Sequence, residues 1–146
     1  MIYKYSITAE AVKDCPAPYG EQISNANDIY NFAKSIFNDV MNVKERFVAV
    51  YLNNAHKITG YYVVGEGTTK SVDVDIKLIV FNAVKTLSNA VILLHNHPSD
   101  IHMPSEQDKR ITQRIISALK FLDVDVLDHI IITNQNYYSF SNDGLI

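Results

Sequence analysis

The apolar run Val91-Ile92-Leu93-Leu94 ends in His95-Asn96-His97-Pro98, and Ser105 and Asp108 follow within eleven residues of His97. Imidazole and carboxylate side chains at such spacing are metal ligands. On a strand, residues i and i+2 share a face, so His95 and His97 aim their rings at one point while Asn96 turns away. Asp108, from the next element, supplies a third ligand. Three protein ligands with a fourth position left to water is the arrangement of a catalytic zinc rather than of a closed structural one. Spacing alone also leaves open a pair of ordinary loop histidines. Ser105-Glu106-Gln107-Asp108 has its own second reading as a helix start, with Ser105 as N-cap and Asp108 completing a capping box. One carboxylate is not expected to serve both cap and metal in full.

The elements that must position these residues read as an α/β alternation. Several capping residues at 24–28 precede Ile29, Phe32, Ala33, Ile36, Phe37 and Val40, which recur at helical spacing. Residues 47–52 form a continuous apolar run rich in aromatic and β-branched side chains, the pattern of a strand buried on both faces. Asn53-Asn54 is a turn, residues 57–64 a second strand, and Gly65-Glu66-Gly67 its end. A helix beginning near Asp75 carries Ile79, Val80, Ala83, Val84 and Leu87. Residues 91–94 are a short buried strand that delivers the histidines. Residues 105–121 are a helix with Ile111, Ile115, Ala118 and Leu119 on one side. Residues 124–133 and 137–140 are strands joined as a hairpin about 134–136. At the N-terminus, residues 2–7 alternate as an edge strand or arm, and 14–20, with two prolines and a glycine, are loop. The expected division is therefore an arm and loop at 1–23 and one domain at 24–146.

Bulk properties exclude several classes. The 146 residues suffice for one domain with a core. With 47% hydrophobic and 20% charged residues the chain reads as globular. A net charge of −3 is no electrostatic footprint for nucleic acid. The single cysteine, Cys15, forms no internal disulfide, which fits a reducing, cytoplasmic setting. No run approaches a membrane span, and the first residues lack the basic-then-apolar pattern of a secretory signal.

His95-Asn96-His97-Pro98-Ser99, Pro104-Ser105 and Asp108 closely resemble the JAB/MPN (JAMM) metalloprotease domain, in its RadC-like branch. Lys44-Glu45-Arg46-Phe47 and the strand after it look like the stretch that carries that family's catalytic glutamate. Leu127-Asp128-His129 through Ile132 resembles its late strand, and residues 138–146 its C-terminal end. The resemblance covers residues 24–146. It implies a cytidine-deaminase-like domain, a mixed sheet flanked by helices, with Zn2+ held by His95, His97 and Asp108. It also implies hydrolysis of a peptide or isopeptide bond in a protein or peptide substrate, within a branch labelled DNA repair.

In that reading Glu45 is the general base and acid, fifty residues before His95. Ser105 donates to the oxyanion of the tetrahedral intermediate. Without the resemblance, Glu45 is a charged residue guarding a hydrophobic strand. Two departures stand out. Asp100 occupies the position where the branch has glycine, so a positive φ there carries a cost. The helix-hairpin-helix region of full-length RadC proteins has no room in these 146 residues, so a short form is expected.

The remaining polar residues receive ordinary readings. His129 is a satisfied core or edge histidine, with Asp128 or His129 a candidate to touch the ligands from behind. His102 and His56 are solvated loop residues. Lys109, Arg110, Arg114 and Lys120 are a solvated helix face. A contiguous His-Asn-His is not the dispersed motif of HNH nucleases. Deamination is excluded, since it needs H-x-E and a cysteine pair. Two alternatives remain: a metal-dependent hydrolase or binding module acting on DNA, and an interaction module whose metal site is idle.

Overall fold

Strand β1 (Arg46–Leu52) is buried at every position after Arg46, as its unbroken apolar run predicts. In the computed structural model, which describes residues 22–146, it lies near the middle of a five-stranded sheet ordered β2-β1-β3-β4-β5. The other strands are β2 (Ile58–Glu66), β3 (Ala90–Asn96), β4 (Asp125–Ile132) and β5 (Tyr137–Ser139). β1 runs antiparallel to β2 and β3, β3 is parallel to β4, and β4 is antiparallel to β5. The sheet is thus mixed, and the three helices α1 (Ala26–Phe37), α2 (Ile76–Lys85) and α3 (Glu106–Lys120) flank it. The α/β class expected from the sequence is the one observed. The expected arm at 2–7, the loop at 14–20 and Cys15 lie outside the described residues.

The period of two along the central strands sorts the core into two layers. Val48, Val50 and Leu52 join Ile92, Leu94, Ile130 and Ile132 beneath α1. Phe47, Ala49 and Tyr51 join Val91 and Leu93 beneath α2 and α3, which contribute Ile79, Ala83, Ile115 and Leu119. That parity places His95 on the α3 face and Asn96 on the α1 face.

Helix starts follow the expected side-chain chemistry. Asn25 accepts from the backbone N–H groups of Asn27 and Asp28 to open α1, and Asp75 accepts from Lys77 N to open α2. The apolar stripe expected on α2 is only partly a core stripe. Ile79 and Ala83 are buried, but Val84 faces water and Leu87 lies beyond the helix at φ 52°. Ile76 and Val80 pack beside Ile79 and Ala83 against the same core layer. β2 runs through Gly65 to Glu66, two residues beyond the expected end. Among the described residues no helix is long and apolar enough to cross a membrane.

β1 is prolonged at its N-terminal end by the segment after β2. Glu45 N donates to Thr68 O at 2.8 Å, and Gly67 N donates to Glu45 O at 2.9 Å. The chain folds back tightly there, because Thr68 N reaches Ser71 O at 2.8 Å. A Cβ at Gly67 would meet Ser71 O at 1.9 Å, so only glycine permits this closure. Gly67→Ala is expected to cost about 1–3 kcal/mol, read as a fall in thermal midpoint. An unchanged midpoint would show that residues 68–71 move aside freely.

Candidate metal centre

His95 is the next-to-last residue of β3, buried along its whole length, and is 1% exposed. His97 lies just past the strand, yet its N–H still donates to Ile132 O at 3.2 Å, so the sheet holds both residues. Their Nε2 atoms stand 2.9 Å apart. Asp108 enters from the first turn of α3, with Oδ1 at 3.2 Å from His95 Nε2 and Oδ2 at 3.4 Å from His97 Nε2. The three side chains offer ligand atoms within 4.8 Å of one another.

The capping box is present in full. Asp108 N donates to Ser105 Oγ at 3.1 Å, and Ser105 N and Oγ both donate to Asp108 Oδ2 at 2.7 Å. The same carboxylate that closes this cap also faces both histidines. Oδ2 closes the cap and also faces His97, while Oδ1 is free of the cap and faces His95.

The loop from His97 to Pro104 is pinned as well. Asp100 has φ 63°, the left-handed conformation foreseen for the position where the branch has glycine. Its N–H donates to His97 O at 3.1 Å and its Oδ1 accepts from Asn134 N at 3.2 Å. Aspartate tolerates that conformation better than most residues, and its side-chain bond to Asn134 N helps to hold it. His97 Nδ1 lies 2.7 Å from Ile101 O. A carbonyl only accepts, so Nδ1 carries the proton and a neutral His97 leaves Nε2 bare toward Asp108.

Electrostatics follow from burial and proximity. Burial alone would raise the Asp108 carboxyl. The close approach of the His95 and His97 imidazoles, with the Ser105 hydroxyl, overcomes it and holds Asp108 far below the usual carboxylate range. Burial lowers His95 despite Asp108. His97 is raised, because Asp108 and the Ile101 carbonyl outweigh its burial. Glu45 is 9% exposed and is raised by burial, with His97 pulling the other way and Asp108 adding to the rise. Among the described residues no hydrogen bond holds its carboxylate.

Glu45, Phe47, His95, His97, Ser105 and Asp108 line one cleft of about 650 Å³. The structure therefore brings together every residue singled out from the sequence for metal or catalysis. Lys70, Arg110 and Arg114 line the same cleft, so the helix face read as merely solvated also borders the site. His56 is exposed, as expected, and His102 is half-buried. Asp128 turns to Ser139 Oγ at 2.6 Å and the backbone of Ser141 at 2.9 Å, away from the ligands. His129 does reach them: its Nε2 lies 2.7 Å from His95 Nδ1. Sequence reasoning missed Thr112, whose Oγ1 lies 2.6 Å from His129 Nδ1. A threonine one turn after Asp108 on the same helix was the available signal.

The donor set fits a metal ion. Ligand atoms bound at ~2.0 Å to a tetrahedral ion are separated by roughly 3.3 Å, close to the 2.9 Å between the two imidazole nitrogens and the 3.2 Å from His95 to Asp108 Oδ1. Two imidazole nitrogens and a carboxylate oxygen converge on one point, an arrangement a cation relieves. Fold and site thus define an α/β domain with a His-His-Asp group suited to a metal, its histidines held by the sheet and its aspartate by α3. The chain belongs to the RadC-like JAB domain family, whose model matches residues 23–145. It is 34% identical over 125 residues to a UPF0758 protein of Flavobacterium johnsoniae, covering 86% of this chain and 54% of that relative. The chain thus spans about half the length of the curated relative it matches.

Proposed function

We propose that this chain is a zinc-dependent hydrolase that cleaves an amide bond, a peptide or isopeptide link in a protein or peptide substrate. The observation that carries the reading is the convergence of His95, His97 and Asp108 beside the largely buried Glu45, whose carboxylate is held by no hydrogen bond. A two-imidazole, one-carboxylate set suits zinc with an open position. The metal would supply Lewis acidity, lowering the pKa of water and polarising the scissile carbonyl.

The chain's own groups do the rest. Glu45 takes a proton from the attacking water and delivers it to the leaving amine. Its withdrawal from water raises its basicity toward that task. Ser105 lines the cleft with a hydroxyl that rests on Asp108 Oδ2. In this proposal that hydroxyl turns to the developing oxyanion, while Ser105 N–H keeps its bond to the same carboxylate oxygen. A cytoplasmic setting fits the single cysteine of the chain.

A second reading, hydrolysis of a nucleic acid, draws support from Lys70, Arg110 and Arg114 along the cleft and from the DNA-repair label of the branch. Against it stands the net charge of −3. Salt-sensitive DNA binding would favour it, and no binding at low salt would eliminate it.

The first test is metal content of the purified, dialysed protein beside His97→Ala. About one zinc per chain in the parent and a marked loss in the variant are expected. Cleavage of isopeptide-linked and peptide libraries by the loaded protein then tests the reaction. No zinc after reconstitution would overturn the proposal. Zinc without turnover of either library would support the idle interaction module instead.

A further inference from the structure

Behind the ligands runs a buried chain of hydrogen bonds whose directions follow from its last member. Thr112 Oγ1 lies 2.6 Å from Asp108 O, one turn back on α3. A backbone carbonyl has no proton to give, so the threonine's single hydroxyl proton goes there. Toward His129 Nδ1, at 2.6 Å, Thr112 Oγ1 can then only accept, and Nδ1 must carry a hydrogen. His129 is 0% exposed, with Phe140 stacked on one side and Phe47 meeting it edge-on. A ring so enclosed, whose hydrogen-bond partners are Thr112 and His95, is neutral. A neutral ring protonated at Nδ1 has a bare Nε2. That Nε2 faces His95 Nδ1 at 2.7 Å, so His95 Nδ1 donates, and His95 Nε2 is left as a lone pair directed at Asp108 and His97.

We infer that His129 and Thr112 are positioning residues that fix the tautomer of His95 and so present its Nε2 to the metal. Metal-bound histidines ordinarily donate their second nitrogen to a carboxylate, a carbonyl or water. Here the acceptor is a second imidazole, which could equally donate, and the Thr112 hydroxyl removes that ambiguity.

The backbone is shaped for this contact. Between Val91 and Ile92 the β3–β4 register shifts, so that Val126 and Asp128, rather than Val126 and Leu127, oppose successive β3 residues. Leu127 packs on the α1 side. Under strict alternation His129, two residues on, would share that side. The shift turns His129 to the α3 face instead, beside Leu93 and below Thr112. Phe47 stacks on His95 as well, at 5.8 Å between centroids, so one aromatic ring steadies both imidazoles.

This inference rests on the metal-centre reading, and its test separates the two. In metal-free protein at mildly alkaline pH, long-range proton–nitrogen NMR correlations of the histidine rings should show both His95 and His129 protonated at Nδ1. That is the opposite of the tautomer favoured by a free histidine side chain. Zinc affinity, measured by competition with a chromophoric chelator, should weaken about 10–100-fold in Thr112→Val and in His129→Phe. Thr112→Ser, which keeps the hydroxyl, should stay within about 3-fold of the parent. The visible spectrum of the cobalt-substituted protein should change in Thr112→Val and not in Thr112→Ser. A parent His95 protonated at Nε2, or a folded Thr112→Val with unchanged tautomer and zinc affinity, would overturn the inference. Should Thr112→Val not fold, the parent's ring spectrum decides. A parent with the expected tautomers that takes up no zinc would uphold the relay and sink the metal reading alone.

Discussion

Glu45→Gln is expected to lower kcat on any amide substrate of this protein by about 10²–10⁴-fold, the usual worth of a positioned general base, with zinc content unchanged. The two halves of that result come from separate features. Glu45 stands outside the His95, His97, Asp108 ligand group, so its charge is not needed to hold the ion. Yet it lines the same cleft, nine-tenths withdrawn from water, and glutamine cannot accept a proton there.

The pH profile should carry the same signature. Burial raises the Glu45 carboxyl above its ordinary value, Asp108 adds to the rise, and His97 opposes it. A base works only when ionised. Activity should therefore rise with pH through that elevated pKa, and on acidification it should be lost sooner than for a solvent-exposed glutamate. The glutamine variant should lack this limb in kcat/KM. Full activity in a zinc-loaded Glu45→Gln, or an acid limb that survives the substitution, would remove Glu45 from the role.

How much of this was legible in the sequence depends on how far each signal reaches along the chain. Local signals were reliable. The apolar run of β1, the capping residues before α1 and α2, and the Ser105–Asp108 box each act within a few residues, and each appears as expected. The i, i+2 pairing of His95 and His97 needed only that β3 be a strand. Non-local placement was not readable in this way. That Glu45 shares a cleft with His97 depends on the β1–β3 pairing and on the fold-back at Gly67, and only the family resemblance linked the two. His129 was legible only as one of two candidates, with Asp128, for a different reason. Its aim depends on a register shift, and a shift inverts the alternation from which a face is inferred. The rim position of Arg110 and Arg114 likewise follows from how α3 is seated, since an exposed helix face looks the same whether it borders a cleft or open water.

Asn96 is a residue whose loss should cost the fold heavily, although from the sequence it reads only as the spacer between two ligands. It is 0% exposed and lies on the α1 face of β3. Its Oδ1 accepts from Arg46 N at 2.8 Å, and its Nδ2 approaches Met41 O at 3.1 Å, Lys44 O at 2.9 Å and Val40 O at 3.4 Å. One side chain thereby ties the turn after α1 to the end of β3 and fixes the backbone on both sides of Glu45. Val40 O has other donors, from Val43 N and Lys44 N, so its bond is dispensable. Met41 O, Lys44 O and Arg46 N would be left without this partner. At about 1–3 kcal/mol for each buried group left unpaired, with partial relief from entering water, Asn96→Ala should lose roughly 3–5 kcal/mol of stability. Asn96→Leu should do no better, because filling the space restores none of the bonds. Asn96→Asp keeps the acceptor for Arg46 N but turns carboxylate oxygens toward three carbonyls, and it should be destabilised to a similar degree. Urea denaturation at matched zinc concentration measures all three. A loss below about 1 kcal/mol in Asn96→Ala would mean that water replaces the amide without strain. In that case the anchoring of Glu45 would rest on its pairing with Gly67 and Thr68 alone.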